Sequence, residues 1–286
     1  MQTMDTILVG FDGSDRAQRA LNWACTVAHR EKAKVTLLAV IDPGSDRLVA
    51  DEGALETAVE SVLEQAKQKV QEQYPDMQVE TQSCKGDIVE SLLREAEHYD
   101  LLVVGSHHNV TVGEKVFGAK GLRIASGSRK PTAVVPSDWF LGEDAHGIVV
   151  AVGPDDTTGD AVVMGVHLAL SLDEPLELIS AWGIPSILSV SAEKMGGGLE
   201  PVGAQFQRKL DSFVAQIKEK YPDLEVTGRA VEGSAPTPVV MQCAKNKRAL
   251  LLGSHTRSRV SRALFGSVMF GVMARLEIPT IVVPTK

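Results

Sequence analysis

A phosphate-bearing ligand asks three things of a chain. It needs backbone N–H groups turned toward it, the positive end of a helix, and hydroxyl or cationic side chains as further donors. The stretch GSHTRSRVSRALFGSV at 253–268 offers that chemistry in one place. Gly253 permits close backbone approach, Arg257, Arg259 and Arg262 form a cationic run, and Ser267 brings a hydroxyl beside Gly266. A second stretch, GSHHNVTVGEKVFGAK at 105–120, opens on Gly105 but carries Glu114, a negative charge that phosphate would disfavour. Asp12 follows the first apolar run, in the turn sequence DGS. Each feature has a plainer reading. Asp12 can satisfy its own turn backbone, Gly105 and Gly253 can simply let the chain leave a sheet, and the arginines can form a solvated helix face.

Other chemistries find less support. His107, His108 and His255 have no Cys, Asp or Glu cluster at ligand spacing, so a metal centre is not expected. No Ser–His–Asp arrangement or carboxylate pair emerges from spacing, and the adjacency of Asp155 and Asp156 does not put them on one face. Binding is favoured over turnover.

The elements that must position these residues are written twice. PTAVVP begins at 131 and PTIVVP at 279, an offset of 148. YPDMQVE at 74 returns as YPDLEVT at 221, and VVGSHH at 103 returns as LLGSHT at 251. Three matches in one order at almost constant spacing mark an internal duplication. The expected domains are 1–137 and 147–286, with a linker at 138–146 inside SDWFLGEDAH.

In the first unit, apolar runs at 7–11, 35–41, 101–104 and 132–135 suit strands buried on both faces, with a further strand at 77–83. Ser14 can cap a helix whose inner face is Ala17, Ala20, Leu21, Ala24, Val27 and Ala28. Helices are expected over 54–73 and 87–97, and a loop after 104 leads to another helix starting near Gly118. The second unit repeats the order with strands near 148–152, 176–181, 224–231, 249–252 and 280–283. Such alternation predicts an α/β fold: a doubly wound, five-stranded parallel sheet in each of two tandem domains. The segment 183–202, with its KMGGGLEP, has no counterpart in the first unit and reads as a surface loop. Ligands of such sheets sit beyond the carboxyl ends of the strands, which draws attention to Asp12, Gly105, Gly153 and Gly253.

Both units resemble the universal stress protein family over essentially the whole chain. GFDGSDRAQRAL at 10–21 looks like the family's opening strand with its aspartate, Asp12. The family signature G-x2-G-x9-G-[S/T] is approached at 253–268, with Gly253, Thr256 replacing the second glycine, then Gly266 and Ser267. In the first unit Gly105 and Gly118 keep the spacing, while His108 and Ala119 replace the second glycine and the hydroxyl residue. The resemblance implies a Rossmann-like strand order 3-2-1-4-5 and an intramolecular pseudo-dimer in which PTAVVP pairs with PTIVVP. It also implies adenosine recognition by Asp12 and by backbone at the end of the second strand, Val40. The second unit lacks the aspartate, with Gly153-Pro154-Asp155-Asp156 in its place.

The 286-residue chain is 44% hydrophobic and 23% charged, as expected of a globular protein, and its formal net charge of −8 argues against general binding to nucleic acid or anionic membrane. Cys25, Cys84 and Cys243 have no ligand-like spacing and read as structural thiols. MQTMDT runs straight into ILVGF, leaving no room for a signal peptide, so a cytoplasmic location is expected. Three functions follow. One is binding of an adenine nucleotide, ATP with Mg²⁺, as a regulatory ligand. Another is a nucleotide-free interaction protein with degenerate sites, and the third a slow ATPase. A homodimer of the tandem chain is compatible with all three.

Overall fold

The structure, a computed structural model, describes residues 4–42, 52–106, 108–111, 114–117, 119–140, 145–153, 159–183, 200–233, 235–254 and 267–285. The chain divides into two compact units, Met1–Leu141 and Gly142–Lys286.

In the first unit the elements run β1 (Thr6–Gly10), α1 (Asp15–Glu31), β2 (Lys34–Ile41), α2 (Glu52–Gln73), β3 (Val79–Lys85), α3 (Ile88–Ala96) and β4 (Leu101–Gly105). Then come β5 (His108–Thr111), β6 (Glu114–Phe117), α4 (Ala119–Gly127) and β7 (Thr132–Val135). Strands β3-β2-β1-β4-β7 lie side by side in that order, all parallel, so the third, second, first, fourth and fifth sheet strands follow one another. Ile7, Leu8 and Val9 are fully buried, as are Leu102 and Val103, because helices cover both faces of the sheet. Ser14 caps α1 by accepting a hydrogen bond from the Ala17 N–H at 3.3 Å. The helix face spaced at three and four from Ala17 is buried, and Trp23 and Cys25 are buried beside it.

One expectation fails here. The segment after β4 is not a plain loop: β5 and β6 pair antiparallel, His108 opposite Phe117 and Thr111 opposite Glu114. The alternation in HNVT and EKVF about a Val-Gly pair suits a hairpin, and its shortness hid it.

The second unit comprises β8 (Ile148–Ala151), α5 (Gly159–Leu172), β9 (Leu176–Trp182), α6 (Glu200–Lys220), β10 (Val226–Glu232), α7 (Pro236–Ala244), β11 (Ala249–Ser254), α8 (Ser267–Met273) and β12 (Thr280–Pro284). Its parallel order is β10-β9-β8-β11-β12, the arrangement of the first unit repeated. The stretch read as a loop over 183–202 is shorter than expected, because α6 already begins at Glu200 with Pro201 in its first turn; 184–199, with the three glycines, lie outside the described residues.

Two features fasten this unit. Gln207 on α6 donates to the Gly228 carbonyl at 2.9 Å and accepts from the Ala230 N–H at 2.8 Å. Its carboxamide thus occupies the free edge of β10 as a neighbouring strand would. At the opposite end of the strands, the buried Glu174 carboxylate accepts from the Gly147 N–H at 2.6 Å, meets His146 Nδ1 at 2.7 Å and pairs with Arg248.

Candidate functional site

Strand register fixes which residues of the two units correspond. Leu8 pairs with Thr36 and Leu102, as Val149 pairs with Glu177 and Leu250. Counting along each strand, Asp12 corresponds to Gly153, Val40 to Ala181 and Gly105 to Gly253.

In the first unit Asp12, Val40 and Gly105 line one crevice, a cavity of about 120 Å³ at the carboxyl ends of β1, β2 and β4. Apolar walls come from Leu38, Ile88 and Leu92, while Arg16 and Lys120 bring positive charge from the first turns of α1 and α4. Sequence reasoning overlooked Arg16, Ile88, Leu92 and Lys120. The signals were present: Ser14 as a cap puts Arg16 in the first turn, Ile88 and Leu92 share a helix face, and Lys120 follows Gly118 by two residues. Gly118 itself lies outside the described residues.

Asp12 is only partly free. Its Oδ1 accepts from the Ser14 N–H at 3.0 Å and from the Ser14 hydroxyl, while Oδ2 lies 3.5 Å from Arg16 Nη2. Gly13, at φ +76°, makes that turn. Partial burial pushes the Asp12 pKa up, but the Ser14 hydrogen bonds and the Arg16 charge outweigh it and hold the carboxyl below its ordinary value. Asp12 therefore stays anionic at neutral pH at the lining of the crevice.

Gly105 has a second duty. A Cβ there would lie 2.7 Å from the carbonyl oxygen of Arg16 and 2.9 Å from its carbonyl carbon. The bare glycine is what lets the first turn of α1 rest on the end of β4. Helix α3 enters the crevice capped by Asp87, whose Oδ1 accepts from the Val89 and Glu90 N–H groups, both at 2.9 Å. These bonds, led by that from Glu90, outweigh desolvation, and with the charges of Arg123 and Lys120 they lower the Asp87 pKa.

The second unit treats the same place differently. Gly153 offers no carboxylate, and its carbonyl accepts from Lys209 Nζ at 3.3 Å. Helix α7 has no side-chain cap at Ala235, and proline opens it. Gly253 lies within β11 rather than after it, since the strand runs on to Ser254, while Arg257 and Gly266 lie outside the described residues, as does the side chain of Ser267, the first residue of α8.

Comparison with known families matches residues 3–136, and again residues 146–284, to the Universal stress protein family. The chain belongs to the universal stress protein family. It carries two tandem units of that family, as the repeated hexapeptides and the resemblance of both halves suggested. A universal stress protein of Mycolicibacterium smegmatis is 24% identical over 293 residues, covering 97% of this chain and 96% of its own length. One of Mycobacterium tuberculosis is 27% identical over 236 residues, 80% of this chain and 78% of its own. The crystal structure of a universal stress protein from Archaeoglobus fulgidus shares the fold with a TM-score of 0.70 at 15% identity, over 99% of both chains. Among the described residues no helix is long and apolar enough to cross a membrane.

Proposed function

We propose that this universal stress protein binds an adenine nucleotide, ATP with Mg²⁺, as a regulatory ligand in the crevice of its first unit. The observation that carries the reading is the convergence of Asp12, Val40 and Gly105 on one cavity with Arg16 and Lys120 at its edge. An anionic carboxylate accepts hydrogen bonds from ribose hydroxyls, and the slot of Val40, Ile88 and Leu92 suits a flat purine face. Lys120 and the start of α4 supply positive charge for phosphates. Mg²⁺ would arrive with those phosphates, keeping several of its waters. In the second unit the phosphate half of the site rests on Gly253, Arg257, Gly266 and Ser267, while Gly153, its carbonyl bound by Lys209, brings no carboxylate to the position that Asp12 holds in the first.

A nucleotide-free interaction protein is the second reading. It is favoured by the structural duties of the same residues: Asp12 Oδ1 is engaged by Ser14, and Gly105 is required by the α1 backbone. One experiment separates the two. Protein purified without added nucleotide is denatured, the released small molecules are identified by mass spectrometry, and ATP is titrated calorimetrically into the stripped chain. Recovery of an adenine nucleotide, or saturable ATP binding, supports the first reading; neither supports the second.

A further inference from the structure

The first unit holds a second cavity that shares no lining residue with the crevice, about 250 Å³ in volume, bounded by α1, the end of α2 and the start of the connector. Its connector residues, Trp139 and Phe140, stand in a segment read from sequence as a linker. Trp139 is nonetheless buried, held by a turn in which its N–H donates to the Pro136 carbonyl at 3.2 Å. Phe140 is the opposite: 69% exposed, although it is a large apolar ring.

Arg19 is the other unusual residue. Its guanidinium carbon lies 4.8 Å from the centre of the Phe140 ring, and its buried Nε–H has no acceptor among the described residues. A buried donor without a partner is costly, and a cation without a counter-charge more so. Among the described residues no Asp or Glu lines the cavity to meet it.

The remaining lining extends the same pattern. Tyr74 adds a third ring, itself 5.1 Å from the His29 ring. Asn22 has its carbonyl oxygen occupied by Gln18 at 3.0 Å, which leaves its NH₂ to donate. Among the described residues the cavity therefore combines aromatic walls with donors and one positive charge, and no negative charge lines it.

We propose that this groove is a binding site for a small planar aromatic carboxylate. The carboxylate would take the two-pronged hydrogen bonding that a guanidinium offers, and the ring would stack within the Trp139–Phe140–Tyr74 walls. Phe140 then has a reason to remain exposed: it covers Arg19 when the groove is empty and turns onto the ligand when it is filled.

The test is calorimetric titration of the full chain with 2-naphthoate and with its neutral twin 2-naphthamide, in the absence of nucleotide, so failure of the ATP reading leaves it untouched. Naphthoate should bind about tenfold more tightly than the amide. Arg19→Gln should abolish that preference, Arg19→Lys should retain part of it, and Phe140→Ala should weaken both ligands, with circular dichroism and melting confirming each fold. If Arg19→Gln does not fold, the Lys and Phe140 variants decide the matter alone. Equal affinities for acid and amide in the wild type would overturn the proposal. So would an acid preference that survives Arg19→Gln, or no binding of naphthoate at millimolar concentration; the last outcome would point to a macromolecular partner on this face.

Discussion

In the second unit Lys209 Nζ lies 3.3 Å from the carbonyl oxygen of Gly153, at the strand end where the first unit carries Asp12. One unit presents an acceptor to its crevice and the other a bare glycine whose carbonyl is already bound to a cation. Two copies of one fold thus differ in charge at the same position. Asp12→Ala should weaken ATP binding by about 1–3 kcal/mol, the loss of one charged hydrogen bond. Lys209→Ala should leave the first unit's affinity unchanged. Calorimetric titration reads both, and equal affinity in wild type and Asp12→Ala would remove Asp12 from the site.

Gly105 yields a prediction about stability that is separable from binding. A methyl group there meets the backbone of Arg16 at 2.7 Å, and backbone cannot rotate away as a side chain can. Gly105→Ala should cost about 1–3 kcal/mol by overpacking, measured by equilibrium urea unfolding. A midpoint like that of wild type would show that α1 moves without cost.

Asp87 gives the first unit a pH dependence. Its folded pKa lies below the ordinary 3.8, mainly through the Glu90 N–H bond. A depressed carboxylate contributes stability above its unfolded value, and that contribution is lost as pH falls through the folded value. Asp87→Asn keeps a capping oxygen but cannot titrate, so its unfolding midpoint should fall less steeply than that of wild type as pH drops below 3.8. Parallel urea titrations at several acidic pH values check this, and identical slopes would mean the cap does not depend on charge.

Glu174 should be among the least replaceable polar residues of the second unit. Its carboxylate is 5% exposed and serves Gly147, His146 and Arg248 together. Glu174→Ala leaves the Arg248 charge without its partner and should cost about 3–5 kcal/mol. Glu174→Gln should cost less, because its amide oxygen still accepts from the Gly147 N–H. Thermal unfolding of the two variants ranks them, and the reverse ranking would place the stabilisation in charge alone.

The sheet was legible because two-sided burial leaves continuous apolar runs such as ILV at 7–9 and LLVV at 101–104, and because each run is written twice. Asp12 and Gly105 were legible because ligands of parallel sheets gather at the carboxyl ends of the strands, and Val40 only through the family resemblance. What escaped depends on contacts between distant segments. Lys209 reaches Gly153 from a helix 56 residues away, and nothing local in KLDSF announces it. Gly105 looked like a phosphate glycine, and only the packed α1 backbone reveals its second duty. Trp139 and Phe140 sat in a segment whose polar neighbours mark a connector, and only the folded unit shows one ring buried and the other exposed beside Arg19 of α1.

Gln207 illustrates the same dependence and gives a final prediction. Strand β10 is the edge of its own unit's sheet, so on one side its Gly228 carbonyl and Ala230 N–H have no strand to pair with. The Gln207 carboxamide meets both, at 2.9 and 2.8 Å, with one acceptor and one donor in the order a peptide group would present. Gln207→Ala removes these two hydrogen bonds and a third, donated to the Asp211 carboxylate at 2.8 Å, and should cost about 1–3 kcal/mol. It also bares an edge to other chains, so aggregation on heating should begin earlier, as light scattering would detect. Gln207→Glu keeps the acceptor for the Ala230 N–H but sets an oxygen against the Gly228 carbonyl, so its stability should fall between wild type and alanine at acidic pH and drop once the carboxylate ionises. A glutamate variant as stable as wild type at neutral pH would show that the bonds donated to the Gly228 carbonyl and the Asp211 carboxylate contribute nothing.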